Sequence, residues 1–363
     1  MNRVCDREVG LINFIEKQKI DLGSDFAYNN FFTKRRDESE FVELRNYVEG
    51  DIMPAFHSGQ CDLPNIVKNP DRSVTIDRYN FNLIREEAKV DGCRVDEERV
   101  DERGEYYRPN RRYDLAYNRS GATLVQRIRK LKYAQSWELL KYGAYTLYSD
   151  VDKEMGILDF KRDDALANID LTGTENDWCA ACAEPMEVIE EIVQNMARCN
   201  AAMGNVNIIH SNTSWKAIQM HETLEAKLAQ NPRQFSGFES LVNTQFAGVF
   251  FQGATNGGRF RHWTANGQYY SSNHELTDYV PEGYVLIAMS GSFGGLDLIN
   301  PWSSDYRERL PDGVDFFMNE DYDRKCRTTD QWIEHRSLML PTNVNGAVLV
   351  KVVSDDCEFC KEC

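Results

Sequence analysis

No run of about 18 consecutive apolar residues occurs in this 363-residue chain, so no helix is expected to span a membrane. The opening, MNRVCDREVGLINFIEKQKI, lacks the long apolar centre and small-residue cleavage site of a secretion signal. The expected place of the chain is therefore the cytoplasm where it is made. Basic residues are in deficit: 42 Lys and Arg stand against 58 Asp and Glu, a net charge of −16. That excludes a broad grip on phosphate backbones, but not a wall that surrounds nucleic acid without sticking to it. Catalytic motifs are missing too. His221-Glu222 opens a zinc-protease pattern, yet Glu225 stands where the second His is needed. Asp150 to Lys161 begins like a calcium loop, with Met155 in place of the glycine and Lys161 in place of the bidentate Glu. The glycine-rich stretches "GSFGGLDL" and "NGGRF" belong to no phosphate loop and read as turns. No serine-nucleophile elbow accompanies the six His residues. No catalytic residue and no cofactor is assigned.

Cysteine, by contrast, is abundant, with ten residues. Cys5, Cys61, Cys93 and Cys326 are scattered, and Cys199 follows the Cys179/Cys182 pair. Cys179 and Cys182 form a CxxC before a helix, where the dipole can lower a thiol pKa. Cys357, Cys360 and Cys363 form a tail trio that could hold zinc with a fourth ligand from elsewhere. In a reducing compartment the default expectation is free thiols. A cysteine-dependent zinc-binding or redox protein is the alternative function.

The remaining pattern is α+β, without regular strand–helix alternation and without internal repeats. Residues 1–48 read as an arm whose Phe26, Tyr28, Phe31 and Phe32 need another surface to cover them. Residues 49–108 read as a charged two-stranded projection. Tyr79, Phe81 and Leu83 share one strand face, Val74 and Ile76 fall on the other parity, and Asp91-Gly92 signals a hairpin turn. Ser120 is the expected cap of a long helix reaching Tyr148, with Arg127, Arg129, Lys130 and Lys132 on its wet side. Further helices are expected from Pro185 to Gly204 and over "SNTSWKAIQMHETLEAKLAQ", and strands at "NVNIIH", "FAGVFFQGATNGGRF" and "GYVLIAMSG". The chain ends with "RSLMLPTNVNGAVLVKVV", two apolar runs around a turn.

An arm, a projection and a long helix without cores of their own suit a repeating assembly of identical subunits. Four stretches carry a resemblance to a family. They are the helix "LVQRIRKLKYAQSWELLKYGAYTLYSD"; "ILDFKRDDALANIDLTGTENDW" with Asp159, Phe160, Arg162 and Trp178; "NVNIIHSNTSWKAI" with Val206, Asn207, Ile209 and Trp215; and the closing segment. In this order they resemble the lambda-type major capsid proteins of tailed bacteriophages, which have the Hong Kong phage capsid fold. The resemblance implies an N-terminal arm at 1–48, an extended loop over a neighbouring subunit at 49–108, and a peripheral domain with a spine helix at 109–180. An axial domain at 181–330 follows. The return at 331–354 brings the last strand back to the peripheral domain, and 355–363 is a cysteine-rich tail. The implied partners are further copies in hexamers and pentamers, a portal at one vertex, a separate scaffold, and a possible decoration protein. The shell would enclose DNA without specific binding and touch no membrane. Arg85, Glu86, Glu87, Lys89, Arg94, Glu97 and Arg99 are the expected loop contacts. Phe26, Phe31 and Phe32 are the expected arm anchors.

Overall fold

The computed structural model describes residues 25–47, 74–91, 95, 109–148, 154–180, 183–199, 204–219, 248–271, 275–291, 293–304, 307–323, 328–355 and 357. A short helix α1 (Phe26–Phe31) runs straight into β1 (Phe32–Arg36). β2 (Phe41–Tyr47) pairs antiparallel with β3 (Val74–Asn80) as a two-stranded ribbon. The parity change between Ile76 and Tyr79, the expected place of a bulge or bend, brings no break, because β3 pairs unbroken from Val74 to Asn80. The chain breaks step at Phe81 instead, and β4 (Asn82–Val90) follows. Among the described residues β4 pairs with the strand Thr328–Leu340, and the second strand expected after Asp91-Gly92 lies outside them. β4 lies along the body, and the Val95 N–H donates to the Asp91 carbonyl, the i to i+4 bond of a helical turn. Leu83 also leaves the expected shared face, being exposed while Phe81 is buried.

The long helix α2 (Pro109–Tyr142) has 34 residues and spans about 51 Å at 1.5 Å per residue. It starts eleven residues before Ser120, which lies inside it. Proline suits a first turn because its missing N–H is not needed there. The helix stops at Gly143, whose φ of +69° needs no Cβ. An added Cβ there would meet Val344 at 2.7 Å. Residues 144–148, expected as helix, form β5 (Ala144–Tyr148), which pairs with β6 (Glu154–Asp159).

Next come α3 (Asp164–Ala167), β7 (Ile169–Asp170), α4 (Pro185–Arg198), β8 (Val206–His210) and α5 (Asn212–Gln219). Helix α4 ends before the expected stop at Gly204. Residues 220–247, with the rest of the third expected helix, lie outside the described residues. β9 (Val249–Thr255) and β10 (Phe260–Ala265) flank the short Asn256–Gly258 turn, which confirms "NGGRF" as a turn. β11 (Gln268–Tyr270) and β12 (Leu276–Asp278) pair with each other. The last elements are β13 (Tyr284–Met289), β14 (Gly295–Ile299), β15 (Phe317–Asp323), β16 (Thr328–Leu340) and β17 (Ala347–Lys351).

Two main sheets result. One has the order β7-β17-β13-β8-β10-β9. In the other, the 13-residue β16 is central. β4 lies along one edge of β16, and β14 and β15 share the other, so Ser337 faces both Asn82 and Ile299. β1 extends the sheet beyond β14. The sheets cut the chain differently from the expected boundaries. β14 and β15 fall before residue 330, yet lie in the β16 sheet rather than with β8 and β13. β17 does not return to the β16 sheet; it enters the six-stranded one between β7 and β13. The closing segment thus ties the two sheets together, β16 in one and β17 in the other.

Alternation within single strands builds two cores. Val285 and Ile287 of β13 face Met186, Ile189 and Val193 of α4. Leu286 and Ala288, with the opposite parity, face Trp137 and Leu140 of α2. The six-stranded sheet is therefore covered on both faces. Further along α2, Leu124, Val125 and Ile128 pack on Ile333 of β16 and Met318 of β15. One helix spans both sheets.

Candidate assembly surfaces

The three phenylalanines expected to anchor on a neighbour are buried in the chain's own core. Phe26 is 0% exposed, and its ring centre lies 4.7 Å from Trp263. Phe31 is buried beside it, and Phe32 meets Phe293 edge-on at 5.6 Å. Trp137, Trp263 and Phe293 lie far along the chain, so local sequence could not reveal what covers the arm aromatics.

Lys132 corrects a second expectation. It is buried, and its ammonium bonds both oxygens of Asp297 at 2.7 and 2.9 Å. Tyr28 donates its hydroxyl to the same carboxylate. Burial by itself would raise the Asp297 pKa; Lys132, His335 and the donated hydrogen bonds outweigh it and hold the carboxyl below its usual range. The trio joins α1, α2 and β14.

The residues that carried the family resemblance sit at joints of the fold. Arg162 is buried and donates to the carbonyls of Lys141 at 2.7 Å and Leu140 at 3.0 Å, capping the C-terminus of α2. Burial lowers its pKa to about 10, well above neutrality, so the cap stays charged. Asp159 accepts from the Lys161 N–H in a bend, and Phe160 packs 5.0 Å from Tyr79. Asn207 accepts from the Trp263 indole and donates to Ser290. Trp178 and Trp215 flank His210 at 6.0 and 5.1 Å. These are positioning contacts with no reactive geometry.

Among the described residues two exposed places stand out, apart from Phe41 on β2 and Tyr322 on β15. The first is the outer face of β4. Leu83, Arg85, Glu87 and Lys89 point to solvent, while Ile84, Glu86 and Ala88 turn toward α2. Across the pairing, Lys89 stands opposite Asp330, Glu87 opposite Trp332 and Arg85 opposite Glu334. The Arg85 guanidinium lies 5.2 Å over the Trp332 ring and 2.9 Å from Glu87. Glu86 pairs with Arg127 at 3.3 Å within the chain. Such exposed pairs contribute only about 0–1 kcal/mol each, so this face is held in shape by backbone pairing. Arg94, Glu97 and Arg99 lie outside the described residues.

The second place is a groove of about 360 Å³ beside the end of α2. Glu138, Tyr142, Tyr145, Ile157, Tyr269 and Thr277 are among its walls. Two of its wall residues are more than half exposed, Tyr142 at 54% and Ile157 at 60%, while Tyr270 at 68% and Leu276 at 55% lie on the other face of the β11–β12 ribbon from the wall residues Tyr269 and Thr277. Nothing in the sequence pattern marked this groove, since β11–β12 and β5–β6 meet there only through the fold.

The free-thiol expectation fails at one point: Cys179 and Cys357 form a disulfide. Cys357 is thus not free to hold zinc with the other tail cysteines, and Cys182, Cys360 and Cys363 lie outside the described residues. Among the described residues, no three His, Cys, Asp or Glu side chains gather as a metal site. The cysteine-dependent alternative thus finds no support. No helix among the described residues is long and apolar enough to cross a membrane.

A two-sheet α+β body threaded by one long helix, with an extended strand laid along it, defines the architecture. Solved structures share it. The chain matches a protein assigned as the capsid protein of a prophage of Escherichia coli CFT073 with a TM-score of 0.61. That match has 10% identity over 95% of this chain and 99% of the other. The capsid of Ralstonia phage GP4 gives 0.50 at 9% identity, covering 93% of both chains. A phage-related protein of Bordetella bronchiseptica RB50 gives 0.50 at 10% identity, covering 94% and 95%. No family model matches the sequence, and no curated protein does. The fold is the Hong Kong phage-type major capsid fold, as the four stretches implied. At such low identity, fold is what the likeness carries.

Proposed function

We propose that the chain is a major capsid protein. Its copies would associate as hexamers and pentamers into an icosahedral head shell around a viral DNA genome. The observation that carries this reading is the likeness to a prophage capsid protein over nearly the full length of both chains. Shell building would take place in the host cytoplasm, and the product would be the virion capsid. A portal at one vertex, a separate scaffold and an outer decoration protein complete the proposed partners. The described part of the arm would act within its own subunit, and the extended loop would lie over a neighbour. The proposed mechanism is assembly rather than turnover.

In this reading the two exposed places meet other copies. Leu83, Arg85, Glu87 and Lys89 form a mixed-charge face that would set register. Tyr142 and Ile157 in the groove, with Tyr270 and Leu276 on the other face of the β11–β12 ribbon, would offer the apolar area that supplies affinity. The net charge of −16 keeps the inner wall from clinging to packaged DNA.

The test is to purify the chain under reducing conditions, size it by light scattering and image the largest fraction by electron microscopy. Closed shells or five- and six-fold rings are expected, alone or on co-expression with a scaffold from the same genome. Compact monomers under both conditions would defeat the reading, and filaments would point to another virion component.

A further inference from the structure

The cysteine pair is placed as a closure between the end of the chain and its middle. β17 ends at Lys351, and its carbonyl accepts from the Leu171 N–H at 2.9 Å. The Val352 carbonyl accepts from the Trp178 N–H, the residue before Cys179. The N–H groups of Val352 and Val353 both bond the Gly283 carbonyl. Past Ser354 the chain turns back, with the Cys357 N–H donating to the Ser354 carbonyl. Backbone bonds independent of sulfur thus bring the two Cα atoms to 5.8 Å, within the range a disulfide bridges without moving the backbone.

The surroundings favour a neutral bridge over charged thiolates. Cys357 is 4% exposed and belongs to the apolar cluster of Trp178, Met186, Val352 and Val353. The carboxylate of Asp177 accepts from the Cys179 N–H at 3.0 Å. A thiolate or a metal-thiolate dianion placed here would lose hydration and stand near negative charge. A disulfide does neither. Cys179 is only partly buried, so it is the sulfur of the pair that a small thiol or disulfide reaches first.

We propose that Cys179–Cys357 is a redox-operated latch on the C-terminal end of the chain. It is open in a reducing compartment and closes when a small disulfide, such as oxidised glutathione, becomes available. In closure the Cys179 thiolate attacks the small disulfide and releases one thiol. Cys357, losing its proton, then attacks the Cys179 sulfur and releases the second. Two protein thiols give up two electrons and two protons, and one small disulfide becomes two thiols. The closed latch spans 178 residues, a long loop whose closure restricts the unfolded chain strongly. It fastens the end of β17 to the segment leading into α4. The fold assembles without it, so the latch hardens a finished subunit rather than directing its folding.

The latch is independent of shell formation and is tested on the soluble chain. The protein is treated with oxidised glutathione or with a phosphine reductant, then digested without reductant for peptide mapping. Thermal unfolding is followed in parallel. A linked Cys179–Cys357 peptide is expected only after oxidation, with unfolding several degrees higher than in the reduced form. Cys179→Ser and Cys357→Ser should each fold and unfold like the reduced chain, insensitive to oxidant. Links through other cysteines only, or an oxidation shift that survives in Cys179→Ser, would overturn the proposal. So would one zinc per reduced chain that Cys179→Ser loses.

Discussion

β13 and β4 are strands of similar kind in very different settings. β13, "YVLIAM", is buried at every position after Tyr284, because α4 covers one face of its sheet and α2 the other. β4, "NLIREEAKV", alternates half-buried and exposed until Val90, with α2 beneath it and solvent above. The first sets the stability of the body. The second follows the body's shape and keeps a row of charges outward. The difference teaches that in this fold burial and display are separated by element: the interior fixes the frame, and an extended strand laid on that frame presents a row of exposed charges.

Breaking a buried charge pair should have the largest effect. Lys132→Ala leaves Asp297 charged and 0% exposed, and should cost about 3–5 kcal/mol in denaturant unfolding. Arg127→Ala, which removes the exposed partner of Glu86, should change stability by about 0–1 kcal/mol. Equal losses for the two would erase the distinction between frame and contact strand.

The buried histidines should give an intermediate effect that depends on pH. His262 lies between His210 and Thr255, at 3.0 and 2.9 Å. Burial pushes its pKa down to about 4 and that of His210 well below its ordinary value. Both stay neutral in the folded chain where the unfolded chain, with an ordinary value of about 6.5, already takes up a proton. Stability is therefore intact above about pH 6.5 and falls as pH drops toward 4, by about 3 kcal/mol for His262. His262→Gln should flatten the slope of unfolding free energy against pH across that window. A slope unchanged from the parent would show that the loss has another source, such as His335, which burial pushes to about 3.

The smallest effect on folding should come from β4. The double change Arg85→Glu and Lys89→Glu should alter subunit unfolding by no more than about 1 kcal/mol. On the proposed function it should nonetheless abolish shells or rings in electron micrographs. Normal assembly of this variant would remove the β4 face from the contact surface.

Much of this division was legible in the sequence. The helix start at Pro185, the glycine turn at 256–258 and the buried strand "NVNIIH" all appear where local pattern placed them. The charges of β4 were picked out from the residues alone. Phe26, Phe31 and Phe32 were recognised as needing cover, but the cover is Trp137, Trp263 and Phe293 of the same chain. Lys132 read as a wet-side residue because its helix position said nothing of Asp297, 165 residues away. The end of α2 was placed too late, since a helical apolar pattern cannot announce a glycine cap supported from outside by Arg162.

The sequence by itself determined the elements and the character of their faces: period, caps and turns are set by neighbours a few residues apart. Only the tertiary structure decided which faces meet. It put β17 into the six-stranded sheet, closed the arm aromatics into the core and set Cys179 beside Cys357. Each of these joins residues more than fifty positions apart, and such pairings follow from how whole layers pack rather than from any local signal.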